Sequence, residues 1–176
     1  HVSLTIRGRS PGELPPPADV EAIRRRCGRP RPQAEVYDLY ARRGLEFGPC
    51  FRGVERLEVG VEEALATIRL PQPVHQRLAD FLWHPAALDA CLHAVGGIDP
   101  EFDRSPRELL LPVEFGQVRC YGGPEEVMWS HARLVERTER GLAADVHVYG
   151  AGGRPLVEIR RLVCRSLSGT QTNEPV

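Results

Sequence analysis

Asp89 and His93 are the strongly polar side chains of an otherwise apolar run, Pro85-Ala-Ala-Leu-Asp-Ala-Cys-Leu-His-Ala-Val95. Four residues of α-helix turn through about 400°, so both project from one stripe, one turn apart, and can touch. A carboxylate on a helix that is hydrophobic nearly all round must be desolvated. Desolvation raises a carboxyl pKa and suits it to carry a proton near neutral pH, and the neighbouring imidazole would orient it by a hydrogen bond. The same spacing also occurs in solvated surface pairs worth about 0.2–0.5 kcal/mol and in buried structural pairs. What favours chemistry here is that the flanking residues leave no polar face. Pro85 in the first turn and Gly96-Gly97 at the end give the helix defined limits.

Such a helix needs a sheet to cover it. Phe51 to Val59, Ala64 to Leu70, Leu110 to Tyr121, Val127 to Val135, Leu142 to Tyr149 and Pro155 to Ser166 have β-branched or alternating character. Turn signals lie between them at Gly60, Gly122-Gly123 and Gly150 to Gly153. The spacing predicts an α+β architecture in which a curved antiparallel sheet wraps one long helix. Upstream, His1 to Arg7 alternates as a strand without a partner of its own. Residues 11–32 read as a Pro-rich, semi-rigid linker with a short helical piece near Ala18 to Cys27, and Gln33 to Arg43 as a helix with Val36, Leu39 and Tyr40 on one side. The division expected is an orphan strand in 1–10, linker in 11–32, a folded unit in 33–167 and a flexible tail in 168–176.

Composition narrows the function classes. The 176 residues are 41% hydrophobic and 27% charged, ordinary for a soluble domain. A net charge of -1 gives no broad attraction to nucleic acid or anionic lipid, and Arg24-Arg25-Arg26 reads as the solvated face of a short helix. No apolar stretch approaches the roughly 20 residues that cross a bilayer, and no signal-peptide pattern opens the chain. Cys27, Cys50, Cys91, Cys120 and Cys164 are odd in number and lack C-x-x-C spacing, so neither a disulfide framework nor a zinc site is expected and a reducing cytoplasm fits. His84 and His93 are nine residues apart, about 900° of helix, which puts them on opposite faces and argues against a helical metal site. Cys50 and Cys91 read as small hydrophobes, Trp83 and Trp129 as core anchors, and His131 and His147 have no partner at readable spacing.

Three segments together resemble a known family: Leu45-Glu-Phe-Gly-Pro-Cys-Phe-Arg-Gly53, His84-Pro-Ala-Ala-Leu-Asp-Ala-Cys-Leu-His93 and Leu110-Leu-Pro-Val-Glu-Phe115. In order and spacing they are similar to the C-terminal half of a polyketide synthase dehydratase domain, a double-hotdog fold. The resemblance implies a hydro-lyase that removes water from a β-hydroxyacyl chain carried on the phosphopantetheine of an acyl carrier protein. Asp89 would be the general acid that protonates the departing hydroxyl, with His93 holding it in place. A His from an N-terminal hotdog, on the same or another chain, would be the base. Phe47, Gly48, Pro49, Phe51, His84 and Pro85 would line the substrate site. No metal or other cofactor is implied, the assembly would be a homodimer, and neither nucleic acid nor membrane would be a partner.

The chain departs from that pattern in three places. Phe47 stands where the family usually has Tyr, and Val113 and Phe115 alter the aromatic pattern of an L-P-F-x-W element. None of His1, His75, His84, His93, His131 or His147 begins the H-x-x-x-G-x-x-x-x-P element that carries the family's base. Two alternatives therefore stand beside the dehydratase: a double-hotdog isomerase or cyclase of a polyketide pathway, and a non-catalytic hotdog used for dimerisation or carrier docking.

Overall fold

A computed structural model describes residues 14–99 and 109–166. The expected strand at 1–7 and the tail from 168 lie outside the described residues. In chain order the elements are α1 (Val20–Cys27), β1 (Arg29–Pro32), α2 (Gln33–Arg42), β2 (Val54–Val59), β3 (Glu63–Arg69), α3 (Gln72–His75), α4 (Pro85–Leu92), β4 (Leu110–Cys120), β5 (Val127–Thr138), β6 (Gly141–Tyr149) and β7 (Pro155–Ser166). Among the described residues the strands form one sheet of seven in the order β1-β2-β3-β5-β6-β7-β4, and every pairing is antiparallel. This is the α+β architecture expected, with one difference in the helix. Its α-helical part ends at Leu92 and continues as a tighter 3₁₀ segment, His93–Ile98, where Gly96 and Gly97 weaken α propensity.

Strand β3 shows how the sheet is covered. Ala64, Ala66 and Ile68 face the main core with α2 and α4, whereas the alternate Leu65 packs with Ile23 and Cys27 of α1. Helix α4 approaches the sheet through Ala86, Ala87, Ala90 and Cys91, and the 3₁₀ segment after it through Ala94, each at most 3% exposed. The close approach leaves no room for side chains at two glycines. A Cβ at Gly53 would stand 2.7 Å from that of Ala90, and one at Gly97 2.6 Å from that of Ala64. The Ser130 hydroxyl donates to the Cys91 carbonyl at 2.7 Å and ties α4 to β5.

The stretch read as a linker is not bare chain. Asp19 caps α1 by accepting from Ala22 N at 2.9 Å, and Arg29–Pro32 adds an edge strand beside β2, where Pro30 and Pro32 are tolerated because an edge needs few donors. Arg24 is likewise not simply solvated: its Nε donates at 3.1 Å to Glu58, which is 1% exposed. Pro49–Phe51 forms a 3₁₀ turn, so β2 starts at Val54 and not at Phe51. Cys50 is exposed on that turn, unlike the buried Cys91. His131 and His147 do have partners, supplied across the sheet: Glu63 Oε2 at 2.8 Å and Glu158 Oε1 at 3.5 Å.

Candidate active site

His84 caps the start of α4, its Nδ1 accepting from Ala86 N at 3.2 Å, and Pro85 follows at the first helical position. One turn later comes Asp89, and another turn on His93, whose Nε2 stands 3.1 Å from Asp89 Oδ2. The imidazole is 5% exposed and boxed by aromatic rings, with centroids at 4.3 Å for Phe47, 5.4 Å for Tyr40 and 5.8 Å for Tyr37. The Asp89 side chain is 41% exposed. The full desolvation expected of it is therefore absent from these residues. The alanine face of α4 is covered by the sheet, and the stripe with Leu88, Asp89 and Leu92 is only half covered.

Asp89 and His93 open on a cavity of about 360 Å³ whose walls are mostly apolar, including Leu45, Phe47, Leu92 and Val95. The Arg43–Asp99 ion pair, at 3.2 Å and with side chains 3% and 9% exposed, forms part of the same wall. Of the residues expected at a substrate site, Phe47, Asp89 and His93 line this cavity. Gly48, Pro49, Phe51, His84 and Pro85 do not. A Cβ at Gly48 would meet nothing within 4 Å, so no described neighbour demands glycine there. Phe51 is 42% exposed, on the turn beside α4.

Sequence reasoning missed Tyr37 and Tyr40. Tyr37 OH accepts from Val54 N at 2.9 Å and lies 3.4 Å from His93 Nδ1, and Tyr40 OH donates to the His93 carbonyl at 3.0 Å. Burial pushes both phenols well above their ordinary pKa, so both remain donors. The available signal was that buried tyrosines on a helix face need partners for their hydroxyls. Among the described residues no three His, Cys, Asp or Glu side chains group closely enough to hold a metal ion. No helix among them is long and apolar enough to cross a membrane.

The arrangement suits proton transfer: a carboxyl with one oxygen bonded to a fixed imidazole, beside an apolar cavity large enough for an acyl chain. Residues 15–174 match the family described as "Polyketide synthase dehydratase N-terminal domain". The chain belongs to the polyketide synthase dehydratase family. The polyketide synthase PksN of Bacillus subtilis is 27% identical over 166 residues, which are 94% of this chain and 3% of that protein. A dehydratase domain of a trans-AT polyketide synthase from Brevibacillus brevis superposes with a TM-score of 0.82 at 27% identity, over 90% of this chain and 56% of that one. The dehydratase domain from the CurK module of curacin polyketide synthase gives 0.79 at 26% identity, over 86% of this chain and 53% of that one. Two further CurK structures are described as inactive mutants, one with a His replaced by Phe and one with an Asp replaced by Asn. The chain thus has the hotdog fold of these dehydratases, spans about half the length of their solved domains and covers a small part of the curated synthase.

Proposed function

We propose that this chain is the C-terminal hotdog of a polyketide synthase dehydratase, in which Asp89 is the general acid for loss of water from a β-hydroxyacyl thioester on an acyl carrier protein. The observation that carries the reading is the Asp89–His93 contact of 3.1 Å in the wall of the 360 Å³ apolar cavity. Hydroxide is a poor leaving group and needs a proton from a neighbouring acid. The α-proton must go to a base, and the inactive His and Asp variants of the CurK dehydratase support a two-residue division of labour. No His in this sequence begins the H-x-x-x-G-x-x-x-x-P element of the base, so we assign the base to an N-terminal hotdog. The matching family description speaks of the N-terminal domain, but the acid element His84-Pro-Ala-Ala-Leu-Asp89 favours the C-terminal half.

The division proposed keeps residues 33–167 as the hotdog, with β1 (Arg29–Pro32) joined to its sheet, and 11–32 as the segment that leads to its partner unit. Edge strand β4 supports such a partner. Phe115 and Val118 sit opposite Leu162 and Ile159, which are fully buried, yet are themselves 44% and 46% exposed. They continue the core face of the sheet where nothing among the described residues covers it. A second unit there would also close over Asp89 and complete the desolvation that the acid requires. The proton transfers need no metal and no cofactor beyond the carrier's phosphopantetheine, and a homodimeric assembly in the cytoplasm is part of the proposal.

The deciding experiment gives the complete dehydratase domain a β-hydroxyacyl pantetheine thioester and follows product mass. Loss of one water per turnover is the predicted result. Unchanged mass with a shifted double bond or a new ring would favour the isomerase or cyclase. No turnover, with retained binding of the acyl carrier, would make the chain a docking module.

A further inference from the structure

We infer that Tyr37 is a positioning residue for Asp89: acting through His93, its hydroxyl decides which carboxyl oxygen is left to present a proton to the cavity. This rests on the acid role proposed for Asp89 and concerns how that acid is aimed.

The Tyr37 hydroxyl has three neighbours. Its oxygen accepts from Val54 N at 2.9 Å, and its single proton faces two acceptors, the Phe51 carbonyl at 3.2 Å and His93 Nδ1 at 3.4 Å. On the other side of the imidazole, Nε2 meets Asp89 Oδ2 at 3.1 Å. The ring is held between Phe47, Tyr40 and Tyr37, so the freedom left to it lies in the placement of its proton.

Ionised Asp89 offers only acceptors. Nε2 must then carry the imidazole proton, which makes Nδ1 an acceptor, and the Tyr37 O–H is the donor placed to satisfy it. In this arrangement Oδ2 is engaged by His93. A proton taken up by the carboxyl goes to Oδ1, the oxygen without a bond to the ring. Turning the Tyr37 proton to the Phe51 carbonyl produces the opposite arrangement. Nδ1–H then donates to the Tyr37 oxygen, Nε2 is bare, and the carboxyl proton sits on Oδ2 in a bond to the imidazole, aimed into the protein. The Tyr37–Nδ1 bond thus selects the arrangement in which the acid faces substrate.

The other charged and titratable groups facing the pair engage elsewhere. Tyr40 donates to the His93 carbonyl at 3.0 Å, Arg52 lies 5.8 Å from the Tyr37 ring centroid, and Arg43, Asp99 and Cys164 line the cavity wall.

The test reads the His93 tautomer by imidazole nitrogen NMR in the full chain carrying isotope-labelled histidine. Near neutral pH the protein should show His93 as the single Nε2–H tautomer. Tyr37→Phe should convert it to a mixture or to Nδ1–H. Tyr40→Phe, which removes an equally buried hydroxyl bonded to the same residue's carbonyl, should leave the tautomer unchanged. In the complete domain Tyr37→Phe should lower kcat about 10-fold with KM unchanged, the size of one aimed hydrogen bond. It should add no further loss in a His93→Gln background, where no tautomer exists to set. An Nδ1–H tautomer in the unmodified protein, or a tautomer indifferent to Tyr37→Phe, would overturn the inference, and so would a kcat loss that persists in full on His93→Gln. Should Tyr37→Phe fail to fold, the tautomer of the unmodified protein decides alone. A domain that binds but does not dehydrate would defeat the proposed function and leave the tautomer reading to be judged separately.

Discussion

His93 Nε2 stands 3.1 Å from Asp89 Oδ2 although the helix tightens from α to 3₁₀ at His93 itself. The tightening already touches the step between them, since the His93 N–H bonds to the Ala90 carbonyl three residues back; the contact survives because residues three and four apart share one helix face. With Asp89 ionised, the bond needs a donor at residue 93 and does not by itself need an imidazole. His93→Gln should therefore retain most activity, since an amide N–H can donate to the same oxygen. His93→Leu should lose about 10-fold or more in kcat, because it leaves Asp89 unheld and Tyr37 short of a partner. Steady-state kinetics on the complete domain would check this. Gln as damaging as Leu would mean that the imidazole itself transfers protons.

Gly97 positions the same helix from its far end. A Cβ there would stand 2.6 Å from that of Ala64 and 3.3 Å from Leu57 Cδ2, both in the core. Gly97→Ala should lower unfolding stability by about 1–3 kcal/mol, the usual cost of overpacking. Urea denaturation reads the difference. Unchanged stability would mean that the segment shifts freely and does not hold α4 in register.

The other face of the sheet predicts an acid-sensitive fold. Burial holds His131 and His147 below the usual histidine pKa, and hydrogen bonding from Arg26 holds Glu63 below the usual carboxylate range. In each case the unfolded chain takes up a proton more readily than the folded one, so these groups stabilise the fold most when unprotonated. The histidine contribution is complete above the ordinary histidine pKa of about 6.5 and is lost as pH falls below it, and the Glu63 contribution is lost further down, below about 4.3. Tm should be level from about pH 7 to 8 and decline below about 6.5. A Tm that rises on acidification to pH 5 would contradict this.

Much of the architecture was legible in the sequence because it rests on local pattern. Period-2 alternation placed β5, β6 and β7 nearly to their ends, and Pro85 and the paired glycines bracketed the helical run. The Asp89–His93 contact was legible because i,i+4 contact follows from helix geometry alone. Four things were not. The partners of His131 and His147 come from other strands, and register is invisible without the fold. The role of Arg29–Pro32 as an edge strand was hidden by prolines that read as linker. The Tyr37–His93 contact joins residues 56 apart in sequence, and only packing of α2 beside the α4 turn creates it. The 41% exposure of Asp89 was also misread, since an apolar helix does not reveal which of its faces the same chain covers.

The most direct test replaces Asp89 by Asn in the complete domain and measures release of water from a β-hydroxyacyl pantetheine thioester. The amide keeps the size of the side chain but has no carboxylic proton, so turnover should fall by about 10²–10⁴-fold, the range for general acid catalysis, while the thermal unfolding curve stays close to that of the parent. Turnover equal to the parent's in a folded Asp89→Asn protein would contradict the assignment.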